Sequence, residues 1–215
     1  HVWPMNLGLF ALATVRLADR RSSGLAGPEY SDPVRVAVSY RSVRLEPPTP
    51  EDLAWVAQAI DVGGLWIRFG WPQPLGNYVV EARGRGEAII AVVRAVRGGQ
   101  RLGFGLVFAP PAVSEPWEAL FAIPEAAARN AFAALQSFDA LLYYLFEQVF
   151  LDLVGWRVRA DNLPALAVLS RMGFEPESQL ALQPGPPYWM FRMGPEAWAE
   201  RRRRLESGTR QFTVG

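Results

Sequence analysis

The sequence predicts an α+β domain built on a mixed sheet of six or seven strands with flanking helices. Three observations carry that reading. Strand-like apolar runs recur through residue 123, the stretch 126–150 repeats apolar residues at three- and four-residue steps, and strand and helix signals then alternate to residue 207. The chain has 215 residues, half of them hydrophobic and 20% charged, which suits one large globular domain and excludes a disordered chain.

The elements follow in order. Residues 1–33 read as an extension and linker, ending in the Ser-, Gly- and Pro-rich stretch 22–33. Val34, Val36, Val38 and Tyr40 alternate as a strand, and Val43 and Leu45 continue it after a bulge or break near Arg41 and Ser42. Thr49, Pro50, Glu51 and Asp52 then open a helix, with a capping side chain, proline in the first turn and acids at the positive end of the dipole. Residues 61–87 read as irregular, with aromatic residues scattered among glycines and prolines. Ala88 to Val96 and Leu102 to Phe108 form a hairpin around Arg97-Gly98-Gly99-Gln100, and Trp117 to Ile123 makes a third strand. The long helix 126–150 comes next. A strand at 156–160, a helix at 163–172 ended by Gly173, strands at 174–182 and 188–193, and a helix from Pro195 to Ser207 complete a domain over 34–207. Residues 208–215 read as a tail.

Composition removes several function classes. A net charge of +1 argues against a general nucleic-acid binder, and the absence of cysteine excludes disulfides and thiolate metal sites. A single histidine, His1, leaves no basis for a histidine-centred triad or metal site. All 22 basic residues are arginine, so no lysine can serve as base or Schiff-base nucleophile. GC-biased coding accounts for that bias; avoidance of amine chemistry on the protein's own surface is the functional alternative. The apolar run Leu7 to Leu17 is too short to span a bilayer and is broken by Arg16, so no membrane association is expected and the chain reads as cytoplasmic. Its apolar side chains are expected to be covered by the chain's own core or by a second copy, giving a homodimer.

Residues 157–174 and the order of elements resemble the GNAT superfamily of N-acetyltransferases. The likeness is to the subgroup of ribosomal-protein N-terminal acetyltransferases and some aminoglycoside acetyltransferases. Asp161-Asn162 and Gly173-Phe174 hold the places of that subgroup's helix-opening and helix-closing motifs. Val43-Arg44-Leu45, Gly98-Gly99 with Leu102-Gly103-Phe104, and Tyr188 to Trp198 match further pieces in order, so the resemblance spans about residues 42–200. It implies a splayed strand pair after Ile123, and acetyl-coenzyme A as donor to a small-molecule or peptide amine. It also implies Glu118 as the base, with Glu125 the alternative, and strand N–H groups of Phe121, Ala122 and Ile123 around the thioester.

In the family pattern Q/R-x-x-G-x-G/A, glycine lets the backbone approach a pyrophosphate at a helix N-terminus. The aligned run is Arg129, Asn130, Ala131, Phe132, Ala133 and Ala134, with Asn162 steadying the pantetheine side. Arg129 and Ala134 fit the ends, while Phe132 and Asn130 stand where glycines are expected. Leu169 stands where many relatives carry a tyrosine acid. These departures leave two alternatives: a GNAT-fold binding module with a decayed donor site, or an acyltransferase fed by a carrier-protein-bound acyl group. Trp66, Trp71 and Tyr78 are candidates for an acceptor pocket or for core anchors. Arg201 to Arg204 complement the negative end of a helix dipole.

Overall fold

A computed structural model describes residues 36–69, 73–110, 115–124, 131–180, 186–207 and 211–215. Its strands are β1 (Val38–Tyr40), β2 (Val43–Glu46), β3 (Ala88–Ala95), β4 (Arg101–Phe108), β5 (Trp117–Ala122), β6 (Val154–Arg159), β7 (Ser178–Leu180), β8 (Tyr188–Met193) and β9 (Thr213–Val214). The helices are α1 (Pro50–Asp61), α2 (Leu65–Phe69), α3 (Gly76–Gly84), α4 (Ala131–Tyr143), α5 (Leu163–Arg171) and α6 (Pro195–Glu206), and a π-helical turn over Tyr144–Gln148 continues α4. The strands form one sheet in the order β7-β8-β6-β5-β4-β3-β2-β1-β9. Neighbours run antiparallel except β5 and β6, which are parallel. The α+β class and mixed sheet are as expected.

Nine strands rather than seven arise at two places. The interruption expected near Arg41 and Ser42 is a break, not a bulge, and makes two strands: Arg41 adopts a left-handed φ of 58° and turns the chain back, pairing Tyr40 with Val43. Near the chain's end, Thr213 and Val214 add β9 to the β1 edge. Phe212 just before it is buried between the rings of Tyr40 and Tyr143, with centroids 4.3 and 4.4 Å away. The stretch expected as a tail thus contributes to the sheet and to the core. The expected strand 174–182 narrows to Ser178–Leu180 among the described residues.

The region expected to be irregular holds α2 and α3. Gly76 begins α3 because a Cβ there would lie 2.5 Å from the Ala57 carbonyl oxygen, so α1 and α3 touch backbone to backbone. Its N–H donates to Asp61 Oδ1 at 2.8 Å. Helix α1 starts as expected, and Thr49 and Asp52 form a reciprocal capping box.

Side chains alternate across the sheet and feed two cores. Ala119 of β5 and Val154 and Trp156 of β6 face α4, the π turn and Trp198 of α6. Leu120 and Ala122 of β5 face α1–α3, with Val56, Ile60, Leu65 and Val79. Within the π turn, Phe146 stacks on Trp198 at 5.9 Å, and the Trp198 Nε1–H donates to Glu147 Oε1 at 2.8 Å.

Asp52 fastens α1 to the sheet. It is fully buried and accepts from Arg94 of β3 at 2.7 Å and from Arg101 of β4 at 2.6 Å. Burial alone would push its carboxyl up, but the Thr49 N–H and the guanidiniums of Arg101 and Arg94 outweigh burial and hold it below the usual range. Arg201 of α6 meets the buried Asp139 of α4 at 2.6 Å and also donates to the Met172 carbonyl. Arg202 pairs with Glu147 and Glu206, while Arg203 and Arg204 pair with Glu200. Arg201 and Arg202 thus tie α6 to α4 and the π turn, while Arg203 and Arg204 pair within α6 itself.

Candidate active site

Strand β5 is bonded unequally along its two edges. On one side it pairs with β4 from Glu118 opposite Phe108 to Ala122 opposite Phe104. On the other it meets β6 only where Trp117 faces Val154 and Glu118 faces Gly155. Beyond that point the strands part, earlier than the expected position after Ile123. Gly155 permits the close meeting at the fork, because a Cβ there would lie 2.9 Å from the Pro116 ring.

The parting opens a cleft of about 420 Å³. Phe121, Ala122 and Ile123 line it from β5 and the residue after it, Trp156, Arg157 and Val158 from β6, and Ala134 and Phe138 from α4. Asn162, Leu169 and Arg171 line it from α5 and its cap, and Leu65 reaches it from α2. In a strand whose alternate N–H groups bond one neighbour, the remaining N–H groups face the other side. Past Glu118, that side of β5 is this cleft. Ala134, in the first described turn of α4, bounds it on that side. The cleft can therefore accept a long, partly apolar molecule along a hydrogen-bonding edge.

The residues expected to act together divide as follows. Phe121, Ala122, Ile123, Ala134 and Asn162 share the cleft wall. Ala131 begins α4, Ala133 is buried, and Arg129, Asn130 and Glu125 lie outside the described residues. The Phe132 ring is 75% exposed and is not part of the wall, so it neither turns into the core nor fills the cleft. Asn162 caps α5, its Oδ1 accepting from the Ala165 N–H at 3.4 Å. Beside it, the hydrogen-bonded Arg159 guanidinium holds the Asp161 carboxyl below its usual range. Trp66 and Tyr78 pack against the α1–α3 core, which favours the anchor reading, and Trp71 lies outside the described residues.

Glu118 lies immediately before the wall residues and is bound to Arg157. The Arg157 Nε–H donates to Glu118 Oε1 at 2.7 Å, and Nη2 donates to the same oxygen. Arg157, Arg171 and Trp156 were missed from sequence. Arg157 alternates with apolar residues on an expected strand, and that pattern alone does not tell a surface arginine from one at a fork. Trp156 is 4% exposed, and its Nε1–H has no hydrogen-bond acceptor among the described residues, enclosed as the ring is by Phe138, Phe174 and Phe191.

A mixed sheet that opens between two parallel neighbours, with a helix packed over the opening, marks the GNAT fold, and the chain has it. Solved structures agree. RimJ from Mycobacterium smegmatis, in complex with CoA-disulfide, superposes with a TM-score of 0.60 at 16% identity, over 82% of this chain and 96% of that one. Spermidine N-acetyltransferase from Vibrio cholerae, with CoA and spermine, gives 0.62 at 14% identity, over 74% and 98%. A putative acetyltransferase from T. thermophilus gives 0.59 at 21% identity, over 80% and 95%. No protein-family model and no curated protein matches the sequence. Among the described residues, no helix is long and apolar enough to cross a membrane.

Proposed function

We propose that this protein is a GNAT-type N-acetyltransferase that moves an acetyl group from acetyl-coenzyme A to a primary amine. The observation that carries the proposal is the open β5 edge facing the cleft. The residues present fit such a donor. The apolar wall and the free N–H groups of β5 suit an extended pantetheine arm, and the amides of Ala131 to Ala134 suit a pyrophosphate. Arg129 and Asn130 would join them, and Asn162 would bound the arm from the β6 side. Phe132, though it replaces a glycine, has its ring outside the cleft wall.

The donor supplies an activated thioester. Strand N–H groups at Phe121 to Ile123 would polarise its carbonyl as charge develops on the oxygen. Glu118, through its second carboxylate oxygen or a water, would take the proton released by the attacking amine. A second reading, an acyl group borne on a carrier protein, tolerates the replacement of the phosphate-binding glycines by Asn130 and Phe132.

Calorimetric titration of the full chain with acetyl-coenzyme A tests the proposal, and saturable binding with thiol release on adding an amine is expected. No binding at millimolar donor would reject it, and a Phe132→Gly variant that gained binding would mark a decayed site. We also propose a cytoplasmic homodimer bridged by the extension at residues 1–33. Light scattering finding only monomer at tens of micromolar would end the dimer.

A further inference from the structure

We infer that the acceptor amine carries a carboxylate that Arg157 receives, so that the substrate class is a free amino acid or a similar zwitterion rather than a polyamine. The inference rests on the acyl-transfer reading for which side of the cleft takes the acceptor, and on three observations of the fork.

The first is the charge of the wall. Its ionisable side chains are Arg157 and Arg171, with no aspartate or glutamate among the described lining residues. Glu118, just before the wall, offsets part of that charge, so a polyamine finds two guanidiniums and a single carboxylate there for its several ammoniums. An anionic group meets the reverse.

The second is the side on which Arg157 lies. Trp156, its neighbour on β6, packs with α4, so Arg157 projects to the opposite face of the sheet. Arg159, two residues on, confirms the direction by donating to the Ile67 carbonyl of α2 at 3.3 Å. Helix α4, whose N-terminus suits the donor's phosphates, lies across the sheet. The anion bound by Arg157 therefore belongs to the other reactant.

The third is how Arg157 is held. Its Nε and Nη2 both bind one oxygen of Glu118, with each side chain about one-third exposed. Among the described residues Nη1 and the second Glu118 oxygen have no partner. Glu118 fixes the plane of the guanidinium from its Nε–Nη2 edge, so Nη1, across the central carbon from that edge, is turned away from Glu118. A zwitterion can set its carboxylate along the Nη1–Nη2 edge and reach back with its ammonium to the second Glu118 oxygen, the group placed to take its proton.

The test compares matched ligands that differ in one carboxylate: alanine with ethylamine, leucine with isopentylamine, phenylalanine with phenethylamine, and spermidine beside them. Binding to the full chain is measured by calorimetry with and without coenzyme A, and acetyl transfer by thiol release. At least one amino acid should bind roughly 10- to 100-fold more tightly than its amine, the value of a charge-assisted hydrogen bond, and spermidine should bind weakest. Arg157→Gln should erase that preference and Arg157→Lys should keep part of it, with melting temperatures recorded for both. Amines binding as well as amino acids, tighter spermidine, or a preference unchanged in a folded Arg157→Gln protein would each overturn the inference. If amino acids bind with the expected preference while acetyl-coenzyme A does not bind, the acetyl-transfer reading falls and the carboxylate site stands.

Discussion

The two edges of β5 share residues and solvent yet behave oppositely. Toward β4 the strand is bonded along its length, and glycine makes the fit close: a Cβ on Gly103 would lie 2.3 Å from the Ala122 carbonyl oxygen. Toward β6 it is bonded at its start and then released. Buried backbone groups are normally satisfied, so an edge of N–H groups opening on a cleft marks a place for another molecule's acceptors. The bonded edge sets where β5 lies, and the open edge uses that placement.

The largest effect should come from loosening the bonded side. Asp52→Ala removes half of the capping box and the carboxylate shared by Arg94 and Arg101. A loss of about 3 kcal/mol is expected, the low end for a buried pair because both guanidiniums reach solvent. Urea unfolding checks this, and a loss under about 0.5 kcal/mol would show that α1 is held by its apolar face alone. The pH dependence should change too. The folded Asp52 carboxyl titrates below its unfolded value of about 3.9. Its contribution is full above that value and fades as pH falls through the lower, folded value. Asp52→Asn should therefore lose less stability than the parent between pH 5 and the acid limit.

Next in size is the fork. Gly155→Val forces a side chain against the rigid Pro116 ring and should cost about 1–3 kcal/mol, as overpacking does. It should also part β5 from β6 at their one meeting point and weaken acetyl-coenzyme A binding more than the stability loss explains. Unchanged binding would separate the cleft from the fork. Smallest is Asn162→Ala, where losing a long cap bond should cost about 0.5–1 kcal/mol by thermal melting.

Much of this fold was legible because local rules and tertiary packing agree in it. Thr49 and Asp52 cap where capping chemistry says they should, and Gly173, with φ of 78°, ends α5 as a glycine after a helix does. Legibility failed where a residue's role is set by distant partners. Gly76 looks like a loop residue until the Ala57 carbonyl is seen beside it. Arg41 gives no hint of positive φ, because a non-glycine residue seldom adopts it. At the site, the cleft residues of β5 and Asn162 were found through family resemblance. Arg157 was not, since its role depends on pairing with Glu118 across 39 positions of sequence. Phe132 stands where a glycine is expected, and its ring spares the cleft by going outward into solvent, a course the sequence does not announce.

The π turn after α4 amounts to one surplus residue in a continuous helical path. Its N–H of Val149 reaches back to the Tyr144 carbonyl, five residues away, at 3.1 Å. Deleting a single residue there would let the helix wind on without interruption. A π turn spends five residues on the rotation that an α turn completes with about four, so whatever lies beyond the deletion would keep its bearing while the side chains inside the turn change theirs. A deletion just before Phe146 would turn its ring back toward the bearing now held by Leu145, off the face of Trp198, and draw Glu147 away from the indole N–H, so α6 would lose its seat although no contacting residue had been replaced. At this point the length of the chain specifies the packing as firmly as its composition does.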